Sequence, residues 1–570
     1  MDFTHRRRFR ALLVAFPHAE SAVGSDATGN QECHPHHQAA LRLTFRQDAS
    51  TPMATSIDRR RFLTLAGSGA AALVVAGCGA RTSTPIAADD PDVDRLEKTR
   101  RKTGARLVDR KLVAAPAVVD LAGRQVATWA YSDTIPGAVL RARVGDVLRV
   151  DLTNRLPEAT TIHWHGIALR NDMDGVPGMT QPPVKPGERF TYEFALPDPG
   201  TYFFHPHTAL QLDRGLYAPL IIEDPNDPIA VDVDEVLVLD DWLDGIDANT
   251  PDRALAARIA QGGMGGGSGM GAMGGMGATG GTADGSEAAT SPGAMTSSAM
   301  RSGLLGGDAG DVPYPLHLIN GRPPADRPTV TSASGARVRL RIINAASDTA
   351  YRFAVGGHRM TVTHADGFAV RPVEVDALLL GMGERYDVVV TAKSGAWPIV
   401  AAAEGKSSFA AGVLRTTDAA ASPTPPADAR PSEFDGRLLR YRDLSPAEGA
   451  SLPTKQADRT HRVDLTGGMI SYDWGIGGKS YPKTTPLEVH EGERVRLKFR
   501  NQSMMWHPIH LHGHTFALAD GGARKDTVNV LPGETRVVEF DAENPGQWML
   551  HCHNTYHLER GMATVLAYRR

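Results

Sequence analysis

Three stretches of the chain share one alternation of apolar and polar residues. Gly145 to Asn154 (GDVLRVDLTN) returns as Gly335 to Asn344 (GARVRLRIIN) and again as Gly492 to Asn501 (GERVRLKFRN). Leu148, Val150 and Leu152 in the first copy, and Val495, Leu497 and Phe499 in the third, recur every second residue. That is the period of a strand with one buried face. A second element also occurs three times, beginning at Gly187, Gly383 and Gly533, and a third follows it at Gly200, Gly395 and Gly546. Repetition in this order predicts three copies of one β-sandwich, an all-β chain. The copies place the domains at residues 105–228, 229–420 and 433–570.

The remaining segments read differently. Residues 79–104 and 421–432 are expected to be linkers, the latter from its run of Pro, Ala and Ser. Residues 262–300 are rich in Gly, Ser and Ala and carry Met264, Met270, Met273, Met276, Met295 and Met300. Such a composition cannot bury a core, so disorder is expected there. Near the N-terminus, Arg59-Arg60-Arg61-Phe62-Leu63 precedes a short apolar run and then Gly77-Cys78. Residues 53–78 therefore resemble a twin-arginine export signal ending in a lipobox, with Cys78 as the lipidated residue. The run is shorter than the ~20 residues of a membrane span. Met53 stands where such a signal begins, so residues 1–52 are expected to be a disordered extension or to follow from a mis-assigned start codon. The expected location is periplasmic or cell-surface, anchored through lipid.

Composition narrows the function by exclusion. With 570 residues, 41% of them hydrophobic, and a formal net charge of −4, the chain offers no electrostatic case for nucleic acid. Of three cysteines, Cys33 lies in the extension and Cys78 in the lipobox, so Cys552 alone remains for the mature protein and has no disulfide partner.

Histidines fall on the repeat with a regular count. Nine and eleven residues after Asn154 stand His163 and His165, and the same steps from Asn501 reach His510 and His512. Five and seven residues after Gly200 stand His205 and His207, and after Gly546 stand His551 and His553. The middle copy has Phe353, Val355, Val400 and Ala402 at these positions. Residues two apart on a strand share a face, so each pair presents two imidazoles to one point. One such pair is as well explained by ordinary surface or core histidines. Four pairs at equivalent sites of two domains imply a polynuclear metal site between the first and third sandwiches.

Cys552 sits between His551 and His553 and so points to the opposite strand face. His507 is out of step with His510 and His512, while His557 and Met562 follow Cys552. Two imidazoles, a thiolate and a distant thioether form the ligand set of a blue-copper centre, and together they select copper over zinc or iron.

These four motifs, His163-Trp-His165-Gly, His205-Pro-His207, His507-Pro-Ile-His510-Leu-His512 and His551-Cys552-His553 with His557 and Met562, resemble those of the multicopper oxidases over residues 105–570. The resemblance implies three cupredoxin-like Greek-key sandwiches and four copper ions. It implies one type 1 ion at His507, Cys552, His557 and Met562, and one type 2 ion at His163 and His510. A type 3 pair falls to His165, His205, His207, His512, His551 and His553. It implies reduction of dioxygen to water with four single electrons from a small reductant, Cys552 carrying them inward. Asp174 matches the family's proton-relay aspartate, with a loop-capping role as the alternative. Leu558 stands where related bacterial enzymes carry a second acid, and Pro206 where serine is usual, which predicts a bulge or a sheet edge.

The substrate reading divides. Soft thioethers suit Cu(I), which favours a cuprous oxidase of copper tolerance with Met504, Met505, Met264, Met270, Met273 and Met276 as candidate Cu(I) ligands. Ser503 departs from that family's acid four residues before the first type 1 histidine. Axial Met562 suits easily oxidised phenols and aromatic amines, the laccase-like alternative. A copper-sequestering protein and a two-copper nitrite reductase need fewer ligands than are present. A monomer is expected.

Overall fold

The computed structural model describes residues 84–264, 300–519 and 521–570. Their strands form six principal sheets, two in each of three successive segments, and a short hairpin at Arg301–Ser302 and Gly307–Asp308. One sheet of each segment is built on the repeated elements. Val147–Asn154 runs parallel to Leu107–Leu121 and antiparallel to Arg189–Ala195. Arg337–Asn344 stands likewise between Val233–Trp242 and Arg385–Thr391, and Arg494–Asn501 between Arg459–Gly468 and Thr535–Asp541. The apolar members of each alternation, Leu148, Val150 and Leu152 among them, are buried in the core. The described residues form three β-sandwiches.

The asparagine closing each first element does the same work three times. Asn154 Nδ2 donates to the carbonyls of Glu158 and Val184, Asn344 Nδ2 to those of Thr349 and Leu380, and Asn501 Nδ2 to those of Met505 and Val530. Each Oδ1 accepts the backbone N–H two residues on, at Leu156, Ala346 and Ser503. The amide thus ties the outgoing loop to the strand, and the loop after it leads into the second sheet. In the outer sandwiches those second sheets carry the histidines.

Two expectations change at the segment borders. Residues 91–100, read as part of a linker, form the helix Pro91–Arg100, capped by Asp90 through the N–H of Asp92. Buried Glu97 accepts from Ala195 N–H and Arg101, and Ile86 N–H donates to Tyr568 O, so this segment joins the first sandwich to the third. Its core contribution rests on Val93 and the Glu97 stem, too little apolar surface to show in the sequence pattern. Of the insert expected over 262–300, the described residues are those at its two ends, and residues 265–299 lie outside them. The helix Pro251–Met264 runs into it at one end, and Met300 is buried at the other, its carbonyl accepting from Ala309 N–H. Residues 421–431 hold no helix or strand, and Arg415 and Arg327 bind their carbonyls at Ser422 and Pro425.

Replacing Asn344 with Ala strands two buried carbonyls and one N–H at a cost of about 1–3 kcal/mol per unpaired group. Chemical denaturation of Asn344→Ala is expected to show a loss of at least about 2 kcal/mol, in a sandwich remote from the histidine pairs. A loss within error of zero contradicts the assignment.

Candidate metal centre

All four histidine pairs meet where the first and third sandwiches face each other. His163–His165 lies antiparallel to Gly200–His205 with His163 opposite His205. His507–Leu511 lies antiparallel to Gln547–Cys552, with His510 opposite His551 and Ile509 opposite Cys552. Strand alternation sends Trp164 the other way, into the core against Tyr192, Phe194 and Phe204. Across the interface His163 stacks on His512 and His165 on His510, each with ring centroids 3.7 Å apart. His207 meets His551 at 4.9 Å and His205 meets His553 at 5.3 Å. The eight rings form one contiguous set, and the equivalent residues of the middle sandwich, such as Phe353 and Val355, are apolar core.

Hydrogen bonds decide which nitrogens of these rings are free. Nδ1–H donates to a carbonyl in His163 (Asp174 O, 3.0 Å), His205 (Pro206 O, 2.9 Å), His510 (Asp526 O, 3.0 Å) and His551 (Cys552 O, 2.8 Å). His512 Nδ1–H donates to Asp174 Oδ2 at 2.9 Å. Each of these five rings is left with a bare Nε2. His165 is reversed: Nε2–H donates to Asp526 Oδ1 at 3.1 Å, and Nδ1 is buried without a partner. Both nitrogens of His553 lack partners.

Bare nitrogens then point at one another. His512 Nε2 and His551 Nε2 are 3.1 Å apart and His207 Nε2 lies 3.4 Å from the latter. Two lone pairs at that distance repel unless a cation lies between them, so the set fits a bound metal. Burial lowers the proton affinity of His205, His207, His512, His551 and His553 well below the ordinary imidazole value, and neighbouring imidazoles lower it further. Neutral imidazole is the form that ligates.

A second set lies on the far face of the same strand. Cys552 Sγ is 3.6 Å from His507 Nδ1 and 3.6 Å from His557 Nδ1, and the two nitrogens are 3.1 Å apart. Both imidazoles donate from Nε2, His507 to Ser503 Oγ at 2.7 Å and His557 to Asp311 Oδ2 at 2.9 Å. Met562 is buried with them. The separations match the edges of a site with bonds of about 2.0 Å to nitrogen and 2.3 Å to sulfur. Burial pushes the Cys552 thiol far above its usual range, so only a bound cation makes the thiolate accessible.

The multicopper oxidase family pattern matches residues 114–227, 291–419 and 454–570. Multicopper oxidase MmcO of Mycobacterium tuberculosis is 44% identical over 533 residues, covering 90% of this chain and 98% of its own. The chain belongs to the multicopper oxidase family. Copper resistance protein A homolog of Pseudomonas syringae pv. tomato is 27% identical, over 78% of this chain and 89% of its own. The crystal structure of a multi-copper oxidase from Pseudomonas thermotolerans superposes with a TM-score of 0.60 at 28% identity, over 81% of this chain and all of that one. As a multicopper oxidase the protein is a copper-dependent oxidoreductase with cupredoxin-like domains, and four coppers are the family norm.

Several residues that hold the ligands in place escaped the sequence reading. Asp311 and Arg385 come from the middle sandwich, which carries no ligand candidate, and motif spacing gave no hint of either. Asp526 was visible only as a charged pair, Lys525-Asp526, beside the buried strand Thr527–Val530. Ser503, noted as a departure, is the acceptor for His507. Asp174 caps the short helix Asn171–Met173 through its N–H, as the capping reading expects, and its carboxylate also reaches His163 and His512. Gly175 makes this approach possible: its φ is +83°, and a Cβ there would lie 1.9 Å from Ile162 O.

Other expectations are corrected. Pro206 lies neither in a bulge nor at an edge, because the strand Gly200–His205 ends before it and sits between two neighbours in its sheet. The ring therefore disrupts no ladder, and its carbonyl orients His205. Of the candidate Cu(I) ligands among the described residues, Met504 is 81% exposed and Met505 only 1%. Cys78, Met270, Met273 and Met276 fall outside the described residues, as do the export signal and the extension, and the side chain of Met264 is not described.

Removing the Asp174 carboxylate releases His512 and leaves His163 only the backbone carbonyl of residue 174. Asp174→Ala is expected to lose roughly 10–100-fold in copper affinity or turnover, with Asp174→Asn intermediate, measured by copper titration and oxygen uptake. Unchanged values in the alanine variant would remove Asp174 from the centre.

Proposed function

We propose that His507, Cys552, His557 and Met562 hold the type 1 copper, that His163 and His510 hold the type 2 copper, and that the remaining six imidazoles hold the type 3 pair. Within that pair we assign one ion to His207, His512 and His551, whose ligand atoms cluster, and the other to the remaining His165, His205 and His553. The observation that carries this reading is the facing of bare nitrogens at 3.1 Å on both faces of one strand. Bound there, the coppers supply the one-electron storage that takes dioxygen to water.

The chain's own contribution is to hold donors still and to join the two sets. Cys552 is covalently flanked by His551 and His553, so thiol and cluster are linked through consecutive residues. Asp174, touching rings of both outer sandwiches, is placed to hold a proton beside the cluster. A cavity of about 350 Å³ lined by His205, His207, His551, His553 and Glu559 provides access from solvent. Wild-type protein reconstituted with Cu(II) is expected to hold four ions, turn blue and consume dioxygen. Cys552→Ser is expected to hold three and stay colourless; four tightly held ions in that variant would refute the type 1 assignment.

For the reductant we favour Cu(I), as in a copper-tolerance oxidase, with phenols and aromatic amines as the second reading. Both flanks of the Met-rich segment support it. Asp308, in the hairpin that follows the segment, bridges to Met505, and Asp311 accepts from His557. Arg258, on the helix that precedes it, lies 3.7 Å from Asp311 and covers the ring of Tyr472. The described residues Arg258 before the segment and Asp308 and Asp311 after it thus lie beside the thiol site, and the segment's thioethers are soft donors suited to Cu(I). Export and lipid anchoring through Cys78, proposed from the sequence, would place this activity outside the cytoplasm. Deleting residues 265–299 is expected to lower Cu(I) turnover about tenfold, a barrier change near 1.4 kcal/mol, and to leave phenol turnover unchanged or higher. Equal effects on both substrates would favour the laccase-like reading.

A further inference from the structure

One ring of the cluster is oriented opposite to the five whose Nδ1–H donates, and the cause lies in the ligand-free middle sandwich. His165 presents Nδ1 because its Nε2–H is taken by Asp526 Oδ1 at 3.1 Å, with Thr527 Oγ1 at 3.3 Å. The same Asp526 accepts His510 Nδ1–H on its backbone carbonyl. Its carboxylate is gripped in turn by Arg385, Nη1 to Oδ1 at 2.7 Å and Nη2 to Oδ2 at 2.6 Å, both side chains fully buried. Arg385 is itself fixed by the carbonyls of Thr201 and Gly383, at 3.1 and 3.0 Å. Three sandwiches therefore meet at one carboxylate: His165 from the first, Arg385 from the second, Asp526 from the third.

The surrounding chain is shaped to admit this contact. Gly166, next to His165, has φ +86°, and a Cβ there would lie 2.5 Å from both Arg385 Nη2 and Asp526 Oδ2. A Cβ on Gly383 would lie 3.0 Å from His165 and from His553. The N–H groups of Asp526 and Thr527 donate to Asp366 Oδ2 at 3.2 Å, and Lys525 pairs with Asp366 and Glu384 at 3.0 and 3.1 Å. Asp366 and Glu384 are middle-sandwich residues, so both members of Lys525-Asp526 are held from that side.

We propose that Arg385 is a positioning residue for the type 3 pair: by holding the Asp526 carboxylate against His165 it selects Nδ1 of that ring as the ligating atom. A buried carboxylate stripped of its guanidinium is an uncompensated charge, and it relieves that by turning away or taking up a proton. Either change frees His165 to rotate. The proposal rests on the cluster assignment above, but its test separates the two.

Arg385→Met and Asp526→Asn are made in the full chain and loaded with Cu(II). Copper content, the blue absorption of the thiolate site and the paramagnetic resonance of the cluster ions are recorded. The expected result is selective. Both variants keep the blue site, while the cluster loses copper affinity by roughly 10–100-fold and shows an altered resonance, with Arg385→Lys recovering part of the loss. Arg385→Met removes a buried charge and is open to folding failure; Asp526→Asn retains side-chain volume and then decides the matter. Full cluster occupancy at wild-type affinity in the folded variants overturns the proposal, as does equal loss from the blue site and the cluster. If wild-type protein itself binds no cluster copper, the cluster assignment fails instead.

Discussion

A buried imidazole has two nitrogens and can satisfy only one of them as a donor without help. In this protein the donor side is settled locally, by Pro206, Cys552 and Asp526 carbonyls and by the two carboxylates Asp174 and Asp526. What is left is a group of buried lone pairs, several of them facing each other. Leaving such atoms unpaired costs about 1–3 kcal/mol each, so the interface between the first and third sandwiches is destabilised until cations occupy it. Binding metal and closing the interface are then one event. The position of the cluster at a domain boundary follows from that linkage.

The two faces of the strand Gln547–Cys552 carry this logic to a second site. Alternation sends His551 to the cluster side and Cys552 to the side of His507 and His557. The separation of the two sets is therefore no wider than one strand. Neither set needs a dedicated connection, because adjacent residues of one chain belong to each. The rest of the third sandwich keeps that strand rigid: Trp548 and Leu550 are buried in its core, and Met562 returns beside Cys552 through a backbone bond from Cys552 N–H to Met562 O.

Much of this was legible in the sequence because it depends on parity and repetition. Counting from Asn154 and Asn501 located His163, His165, His510 and His512, with the other four found from Gly200 and Gly546, and the structure shows why the first count is constant: that asparagine anchors the loop on which it runs. The exclusion of His507 from the cluster and the turning away of Cys552 followed from the two-residue period alone. The partners of those rings were not legible. Asp526 is 361 residues from His165 and Asp311 is 246 from His557, and neither sits in a spacing that a strand period can register. The helix Pro91–Arg100 was missed for the opposite reason, since its contacts are made by charges such as Glu97 and Arg101 rather than by an apolar stripe.

The middle sandwich has lost every position at which its neighbours carry a ligand, yet both sets of donors lean on it. Asp311 fixes the tautomer of His557, Arg385 holds the carboxylate that fixes His165, and Asp366 accepts the backbone on either side of the Asp526–Thr527 peptide. Orientation of a donor is worth little if its acceptor moves. A domain that contributes no ligand but touches both sets can hold them in one frame, which two ligand-bearing domains facing each other across an interface cannot do unaided. The residues at Phe353, Val355 and Val400 are buried and apolar, so the middle sandwich keeps a packed core behind Asp311, Asp366 and Arg385. The copy of the repeat without ligand residue types thus fixes proton positions on rings it does not own.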